Sequence, residues 1–165
     1  MSTRRFDANR EQSMAAISAG NAGNGNDDHL PMGKSSFGNL TFEGLLRFAH
    51  DWSGMVTVTK VELYTRMSGG THTAQGDSDK QMRVSRAGES WTSGGGSENS
   101  WSTSASGARY GSVSPTGAPV DKTMPDSGWV TTVITDLYNA YVPASIGGGG
   151  DANDGLFLRA LNATM

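Results

Sequence analysis

The fold of this chain is decided by residues 41–67, which read TFEGLLRFAHDWSGMVTVTKVELYTRM. The segment holds two runs of alternating side chains, joined through residues 51–54 (DWSG). The positions that share one face are Phe42, Gly44, Leu46 and Phe48 in the first run, and Val61, Leu63, Thr65 and Met67 in the second. A period of two is expected of a strand that buries one face and exposes the other to water. Two such strands are therefore predicted here.

Further strand signals follow along the chain. The alternation returns at residues 155–161 (GLFLRAL), and residues 81–86 (QMRVSR) form another plausible strand. Residues 128–134 (GWVTTVI) are rich in β-branched and aromatic side chains, which is typical of a central strand. Strands of this kind, without alternating helices between them, favour an antiparallel β-sandwich.

One short helix is predicted after the strand at residues 128–134. Residues 135–141 (TDLYNAY) change to helical spacing. Thr135 suits the N-cap, Asp136 suits the positive end of the helix dipole, and Pro143 ends the helix. This helix is expected to cap one end of the sandwich.

Composition sets the size of the core and excludes some partners. Of 165 residues, 35% are hydrophobic and 23 are Gly, about twice the usual ~7% for Gly. Long loops rich in Gly and Ser are therefore expected. The net charge of -3, without a dense cluster of Lys and Arg, argues against nucleic-acid binding.

Targeting signals and cysteine chemistry are also absent from the sequence. There is no cysteine, so neither disulfides nor thiolate metal sites are possible. We see no signal peptide after the charged residues 1–6, and no run of ~20 apolar residues that would span a membrane. We therefore expect no membrane partner and no secretion signal.

Residues 1–40 are interpreted as a polar N-terminal arm, and residues 41–165 as the sandwich domain. Residues 14–17 (MAAI) are either a first strand or an arm lying on a neighbour. The arm has few large apolar side chains to offset its backbone entropy, so we expect a neighbouring subunit to order it. The anchors would be Phe6, Met14 and Ile17. Closed symmetry, most simply a trimer, would let each arm dock on the next chain.

Aromatic residues in polar surroundings have two interpretations. Trp91 and Trp101 flank a Gly- and Ser-rich stretch, as in a hairpin whose aromatic residues close the core edge. The alternative is a platform on which a sugar ring stacks. The candidates for stacking are Trp91, Trp101, Trp129 and Tyr141.

No catalytic or metal motif stands out. His29, His50 and His72 lack two-histidine metal spacing, and we expect each in a solvated loop or edge position. Asp151, Asn153 and Asp154 are weak calcium candidates, since their pattern departs from the EF-hand loop and favours an ordinary Asx turn. Asp77 and Asp79 form the other acidic cluster. We expect no enzyme and no required cofactor.

The order of several motifs over residues 40–161 resembles the DNRLRE family of jelly-roll domains. The matching segments are residues 45–48 (LLRF), 58–63 with Val58, Val61 and Leu63, the two tryptophans Trp91 and Trp101, residues 134–141, and residues 153–156 (NDGL). The family pattern runs roughly LLRFD, A-L-L, a tryptophan segment, DVT..V..W and N-GL.L. Ala49 and Val133 stand where the motif usually has Asp, and Tyr141 replaces a Trp.

The resemblance implies a jelly roll similar to carbohydrate-binding modules, found on secreted bacterial proteins and in phage virions. Together with the missing secretion signal, it predicts a structural protein of a tailed phage, assembled in the host cytoplasm. The expected partners are capsid or tail proteins and further copies of the chain. The alternative is a carbohydrate-binding module for glycans of the bacterial cell surface.

Overall fold

The computed structural model describes residues 3–17, 20–24, 30–34, 41–67, 81–94, 107–125 and 127–161. Within these ranges the elements in chain order are β1 (Ala8–Ile17), β2 (Gly20–Asn24), β3 (Gly33–Lys34), β4 (Thr41–Phe48), β5 (Glu62–Met67), β6 (Gln81–Ala87), β7 (Pro115–Thr123), β8 (Gly128–Val133), α1 (Thr135–Tyr138) and β9 (Leu156–Ala160). Short 3-10 turns at Asn139–Tyr141 and Ala144–Ile146 follow α1. No helix in these ranges is long and apolar enough to cross a membrane.

The strands form two antiparallel sheets whose pairing is nested. The large sheet runs β2-β1-β4-β9-β6-β7, with β3 also paired to β4, and the small sheet is β5-β8. β4 pairs with β9, β5 with β8, and β6 with β7. This is a long hairpin rolled so that β4 and β5 lie in different sheets, which is jelly-roll connectivity. The all-β antiparallel sandwich with one short helix is therefore confirmed.

The main core lies between the two sheets. On β4 and β9, Leu46 is opposite Leu156 and Gly44 is opposite Leu158, so both leucines of β9 point inward and are at most 1% exposed. Each contributes about 1.5–3 kcal/mol by burial. The other fully or nearly buried members are Leu63, Met82, Val84, Met124, Val130, Ile134, Leu137, Tyr138 and Tyr141. This is the face that the alternation in residues 41–48 predicts.

The opposite face of the large sheet is also buried, which corrects the expectation that it meets water. Leu45 and Phe157 pack there in a second core with Met14 and Trp91. Residues 88–94 and 107–114 cover this face, and the alternation of β4 gives no sign of that cover.

The predicted N-terminal arm is part of the large sheet. β1 lies between β2 and β4, and its residues Ala8 to Ala16 pair along the whole of β4. Met14 is fully buried in the chain's own second core. The expectation that a neighbouring subunit orders the arm, with Met14 as an anchor, is therefore wrong for this segment. The side chain of Ile17 lies outside the described residues.

Backbone pairing and one buried polar residue explain why β1 is ordered. Gln12 is fully buried. Its Nε2 donates to the Ala108 carbonyl at 2.7 Å, and its Oε1 accepts from the Gly94 amide at 3.0 Å. Gln12 thus ties β1 to both loops that cover the second core. The predicted boundary at residue 40, between the arm and the sandwich domain, does not coincide with a break between sheets.

Two local predictions need correction. The N-cap position of α1 is Ile134, which makes no side-chain cap. The hydroxyl of Thr135 instead accepts a hydrogen bond from the Val61 amide at 2.9 Å, joining the helix to the start of β5. The strand β7 was not predicted because it contains Pro115 and Pro119. It is an edge strand of the large sheet, where proline is tolerated.

Candidate functional sites

Two of the four predicted sugar-stacking residues belong to the core. Trp91 is 5% exposed, and its Nε1 donates to the Asp154 carbonyl at 2.6 Å. Tyr141 is 6% exposed, and its hydroxyl donates to the Gly155 carbonyl at 2.8 Å. Neither ring presents a free face to a ligand, so the stacking role is wrong for both. Trp101 lies outside the described residues.

Trp129 is the remaining candidate, and it stands on an exposed sheet face. The indole is 64% exposed, and Tyr64 and Val133 on the same face are 60% and 51% exposed. Because side chains alternate along strands, Leu63, Val130 and Thr132 point to the core from the other side. We call the exposed side the outer face of β5-β8, and its members are Glu62, Tyr64, Arg66, Trp129, Thr131 and Val133.

The register of the small sheet orders this outer face in three rows. Glu62 is opposite Val133, Tyr64 is opposite Thr131, and Arg66 is opposite Trp129. The apolar groups therefore form a zigzag stripe from Val133 on β8 through Tyr64 on β5 to Trp129 on β8, with an acid beside one end and a base beside the other. Diagonal neighbours of this kind are within reach of aromatic side chains.

The two charged side chains of the outer face, Glu62 and Arg66, differ in whether they have a charged partner. Glu62 accepts from Lys60 at 2.6 Å and from the Tyr64 hydroxyl at 3.2 Å. The hydrogen bond from Lys60 lowers the pKa of Glu62, so the carboxylate stays ionised. Arg66 forms no ion pair with a carboxylate in the described ranges.

A second site surrounds His50, where β4 ends. The imidazole stacks on Trp52, with ring centroids 4.9 Å apart, and is T-shaped to Phe6 and Tyr138, with centroids 4.9 Å and 5.3 Å away. His50 lies in the loop after β4, as predicted, but it is half-buried and not fully solvated. His29 and His72 lie outside the described residues. Phe6, predicted to anchor on a neighbouring subunit, packs here on its own chain.

Asn153 fixes the tautomer of His50. Its Oδ1 accepts from the Gly155 amide at 3.1 Å, and its Nδ2 donates to the Phe48 carbonyl at 2.8 Å. Nδ2 therefore also faces His50 Nδ1, at 3.2 Å, as a donor. Nδ1 must accept, which places the proton of the neutral ring on Nε2.

The other ring nitrogen of His50 faces Tyr138. His50 Nε2 lies 3.1 Å from the Tyr138 hydroxyl, to which it donates in this tautomer. Burial lowers the pKa of His50, and burial raises the pKa of Tyr138 well above its usual value. Both rings are therefore neutral near pH 7, and the pair orients side chains without holding a charge.

An open cleft lies beside His50. Its volume is about 350 Å³. It is lined by Asn9, Arg47, Phe48, Ala49, His50, Trp52 and Asn153. Arg4 fastens the N-terminal segment near this cleft, because its guanidinium donates to the Asp51 and Ser53 carbonyls at 2.9 Å and 2.7 Å.

Two of the three predicted calcium ligands, Asp151 and Asn153, have side-chain oxygens engaged in other contacts. Asp151 accepts a hydrogen bond from Arg86 at 2.8 Å, and Asn153 Oδ1 is occupied by the Gly155 amide. The carbonyl of Asp154 accepts from Trp91. In the described ranges, no three His, Cys, Asp or Glu side chains are grouped to hold a metal ion. Asp77 and Asp79 lie outside those ranges.

Sequence reasoning predicted Trp129 as a ligand-contacting residue but missed the cleft at His50. The cleft joins residues from position 9 to position 153, and no local pattern links them. A comparison of the chain with family models, with curated proteins and with solved structures finds no match. The resemblance to the DNRLRE family therefore stays a prediction.

Proposed function

We propose that this chain is a non-enzymatic structural protein of a tailed-phage virion, carried on the capsid or the tail, and that it associates through the outer face of β5-β8. The virion context rests on the resemblance in sequence. The observation that carries the contact surface is the stripe of Tyr64, Trp129 and Val133, each more than half exposed on one sheet face. Contiguous exposed apolar side chains with a polar rim are typical of protein interfaces, and Tyr, Trp and Arg dominate binding energies there.

The outer face is complementary to a second copy of itself. When two copies meet face to face with their β5 strands antiparallel, the two-fold axis passes beside Tyr64. The register then puts Glu62 of one copy on Arg66 of the other, and Val133 on Trp129. A self-complementary patch of this kind is what a two-fold contact requires. The pattern favours a pair of chains over the trimer predicted from the arm.

The size of the outer face predicts a weak contact. Two paired strands of six residues cover about 20 Å by 10 Å, or roughly 200 Å² per copy. Stable interfaces bury about 800 Å² per partner. The pair alone is therefore expected to dissociate readily in dilute solution. Many copies held close together on a particle would raise the effective concentration and make the contact persist.

Fractionation of particles tests the virion role. The full chain and its Tyr64→Ala/Trp129→Ala variant would be expressed in the producing host, and lysates separated on a density gradient. The wild-type chain should sediment with heads or tails, and the double variant should be depleted from them. Val56→Ala is the matched control, because Val56 is 87% exposed and lies outside the outer face. A wild-type chain found only in the soluble fraction would contradict the virion role.

Glycan binding at Trp129 is the second candidate function, favoured by the exposure of that indole. A flat indole offers the surface on which the C–H side of a pyranose packs. Titration of bacterial cell-surface polysaccharide should then change tryptophan fluorescence in the wild type but not in Trp129→Ala. An unchanged signal at about 1 mM glycan, the weak end of recognisable binding, would remove this function for the sugars tried.

A further inference from the structure

We infer that the cleft beside His50 is a binding site for a carboxylate-bearing sugar, with Arg47 as the residue that takes the carboxylate. The inference does not depend on the outer face or on the virion role. It rests on the charge, the wall and the rigidity of the cleft.

The charge of the cleft comes from Arg47, which has a second arginine opposite it in the sheet. Arg10 on β1 is directly opposite Arg47 on β4, next to a register shift between Ala8 and Arg10 that leaves Asn9 unpaired. Like charges in opposite positions destabilise a sheet. Arg10 Nη1 is turned to the Trp91 carbonyl at 3.3 Å, which leaves the Arg47 guanidinium as the charge of the cleft.

Arg47 differs from Arg83 and Arg86, two other half-buried arginines of the large sheet. Arg83 is bidentate to Asp121, with both contacts at 2.7 Å, and Arg86 binds Asp151 at 2.8 Å. Arg47 is likewise half-buried, yet none of the carboxylates in the described ranges pairs with it. A partly desolvated guanidinium without a counterion is stabilised by an anion, and its planar fork fits a carboxylate in particular.

The remaining walls suit a sugar ring better than a bare ion. Trp52 lines the cleft, and its ring is held by stacking on His50, 20° from parallel. An indole fixed in this way gives a flat apolar surface at little entropic cost. Asn9, which is exposed at the rim, adds a side-chain amide that matches the hydroxyls of a pyranose. A volume of about 350 Å³ accommodates one or two sugar rings.

The test is a titration of the full chain with acidic and neutral sugars, followed by NMR shifts of the Arg47 side chain and the Trp52 indole. Galacturonate oligomers and N-acetylneuraminic acid are the acidic probes, and matched galactose oligomers are the neutral ones. We expect at least one acidic probe to bind at about millimolar concentration, to weaken as salt is raised, and the neutral oligomers not to bind. Which of the two acidic probes binds identifies the source of the carboxylate.

Three variants locate the site. Arg47→Met keeps the aliphatic stem that packs beside Gly155 and should weaken binding about ten- to a hundredfold, because a charged hydrogen-bond pair is lost. Arg47→Lys keeps the charge but loses the planar guanidinium, so its affinity should lie between that of the wild type and that of Arg47→Met. Lys122→Met removes a cation from the edge strand β7, outside both the cleft and the outer face, and should bind like the wild type. Thermal melting of each variant separates lost binding from lost folding.

Several outcomes would overturn the inference. These are the absence of binding by both acidic probes, equal binding by a folded Arg47→Met variant, and equal binding of the neutral oligomers. Acetate or phosphate that binds as tightly as the sugar acids would indicate an anion site only and would overturn the assignment to a sugar.

Discussion

Replacing Asn153 by Ala tests whether one side chain holds the end of β4 to the loop before β9. Three contacts would be lost, to the Phe48 carbonyl, the Gly155 amide and His50 Nδ1, at 2.8 Å, 3.1 Å and 3.2 Å. A net hydrogen bond contributes about 0.5–1.5 kcal/mol, and these sites are only partly buried, so water can replace some of the bonding. We expect a loss of about 2 kcal/mol of unfolding free energy.

Urea denaturation and thermal melting measure this loss. For a chain of this length, about 2 kcal/mol corresponds to a fall in Tm of roughly 4–8 °C. The matched control is Asn139→Ala, an exposed asparagine, which should change stability by less than about 0.5 kcal/mol. A change of similar size in both variants would refute the reasoning.

The same position gives a second readout in the protonation of His50. In Asn153→Asp a carboxylate oxygen replaces the amide that now donates to Nδ1, so protonated His50 gains a partner. The pKa of His50, followed by NMR, should therefore rise above its wild-type value. A pKa that stays low would show that Asn153 does not set the tautomer.

Three further outcomes are expected from single substitutions, all measured by urea denaturation. Because burial lowers the pKa of His50 in the folded chain, the unfolded chain binds the proton at a higher pH, and the wild type should lose stability as pH falls below about 6.5. The His50→Gln variant should lack the part of this loss that comes from His50. An identical pH profile for the two chains would contradict the prediction. Gly155→Ala should lower the free energy of unfolding by more than about 3 kcal/mol, because φ is +91° and the new Cβ overlaps the Leu46 carbonyl. Gly147→Ala, with φ +92° and open space around the new Cβ, should lower it by about 1–2 kcal/mol. Equal losses in the two variants would show that the overlap at Gly155 is relieved. Gln12→Leu should cost about 3 kcal/mol, since two loop backbone groups lose their partner, and a neutral result would show that β1 does not hold those loops.

Much of the sandwich could be predicted because large apolar residues alternate in β4 and β9 and β-branched residues fill β8. The strand β1 could not be predicted in the same way, because its buried positions include the polar residues Gln12 and Ser13. A buried Gln is acceptable only where backbone partners exist, and here they come from loops more than eighty residues away in sequence. The hydrophobic pattern of residues 1–40 therefore looked too poor for a strand.

The candidate sites show the same limit. Trp91 and Trp129 are the same residue type in similar polar surroundings, yet one is 5% exposed and the other 64%. Only the tertiary structure separates them, since Trp129 faces away from the core on β8, whereas Trp91 lies in the loop of residues 88–94 and packs into the second core. The environment of His50 depends on Phe6, Tyr138 and Asn153, which are brought together by the rolled-up topology and by no local motif.

A mixing experiment with two charge variants tests the proposed contact most directly. In the two-fold arrangement, Glu62 of one copy meets Arg66 of the other. Glu62→Arg alone and Arg66→Glu alone should therefore each abolish self-association, because like charges then meet at both ends of the outer face. An equimolar mixture should associate as a heterodimer, since each pair again has opposite charges. Sedimentation equilibrium is predicted to give a weak dimer for the wild type and for the mixture, with Kd of about 0.1–1 mM, and monomers for each variant alone. Monomeric wild type at these concentrations, or a mixture that stays monomeric while the wild type pairs, would contradict this account.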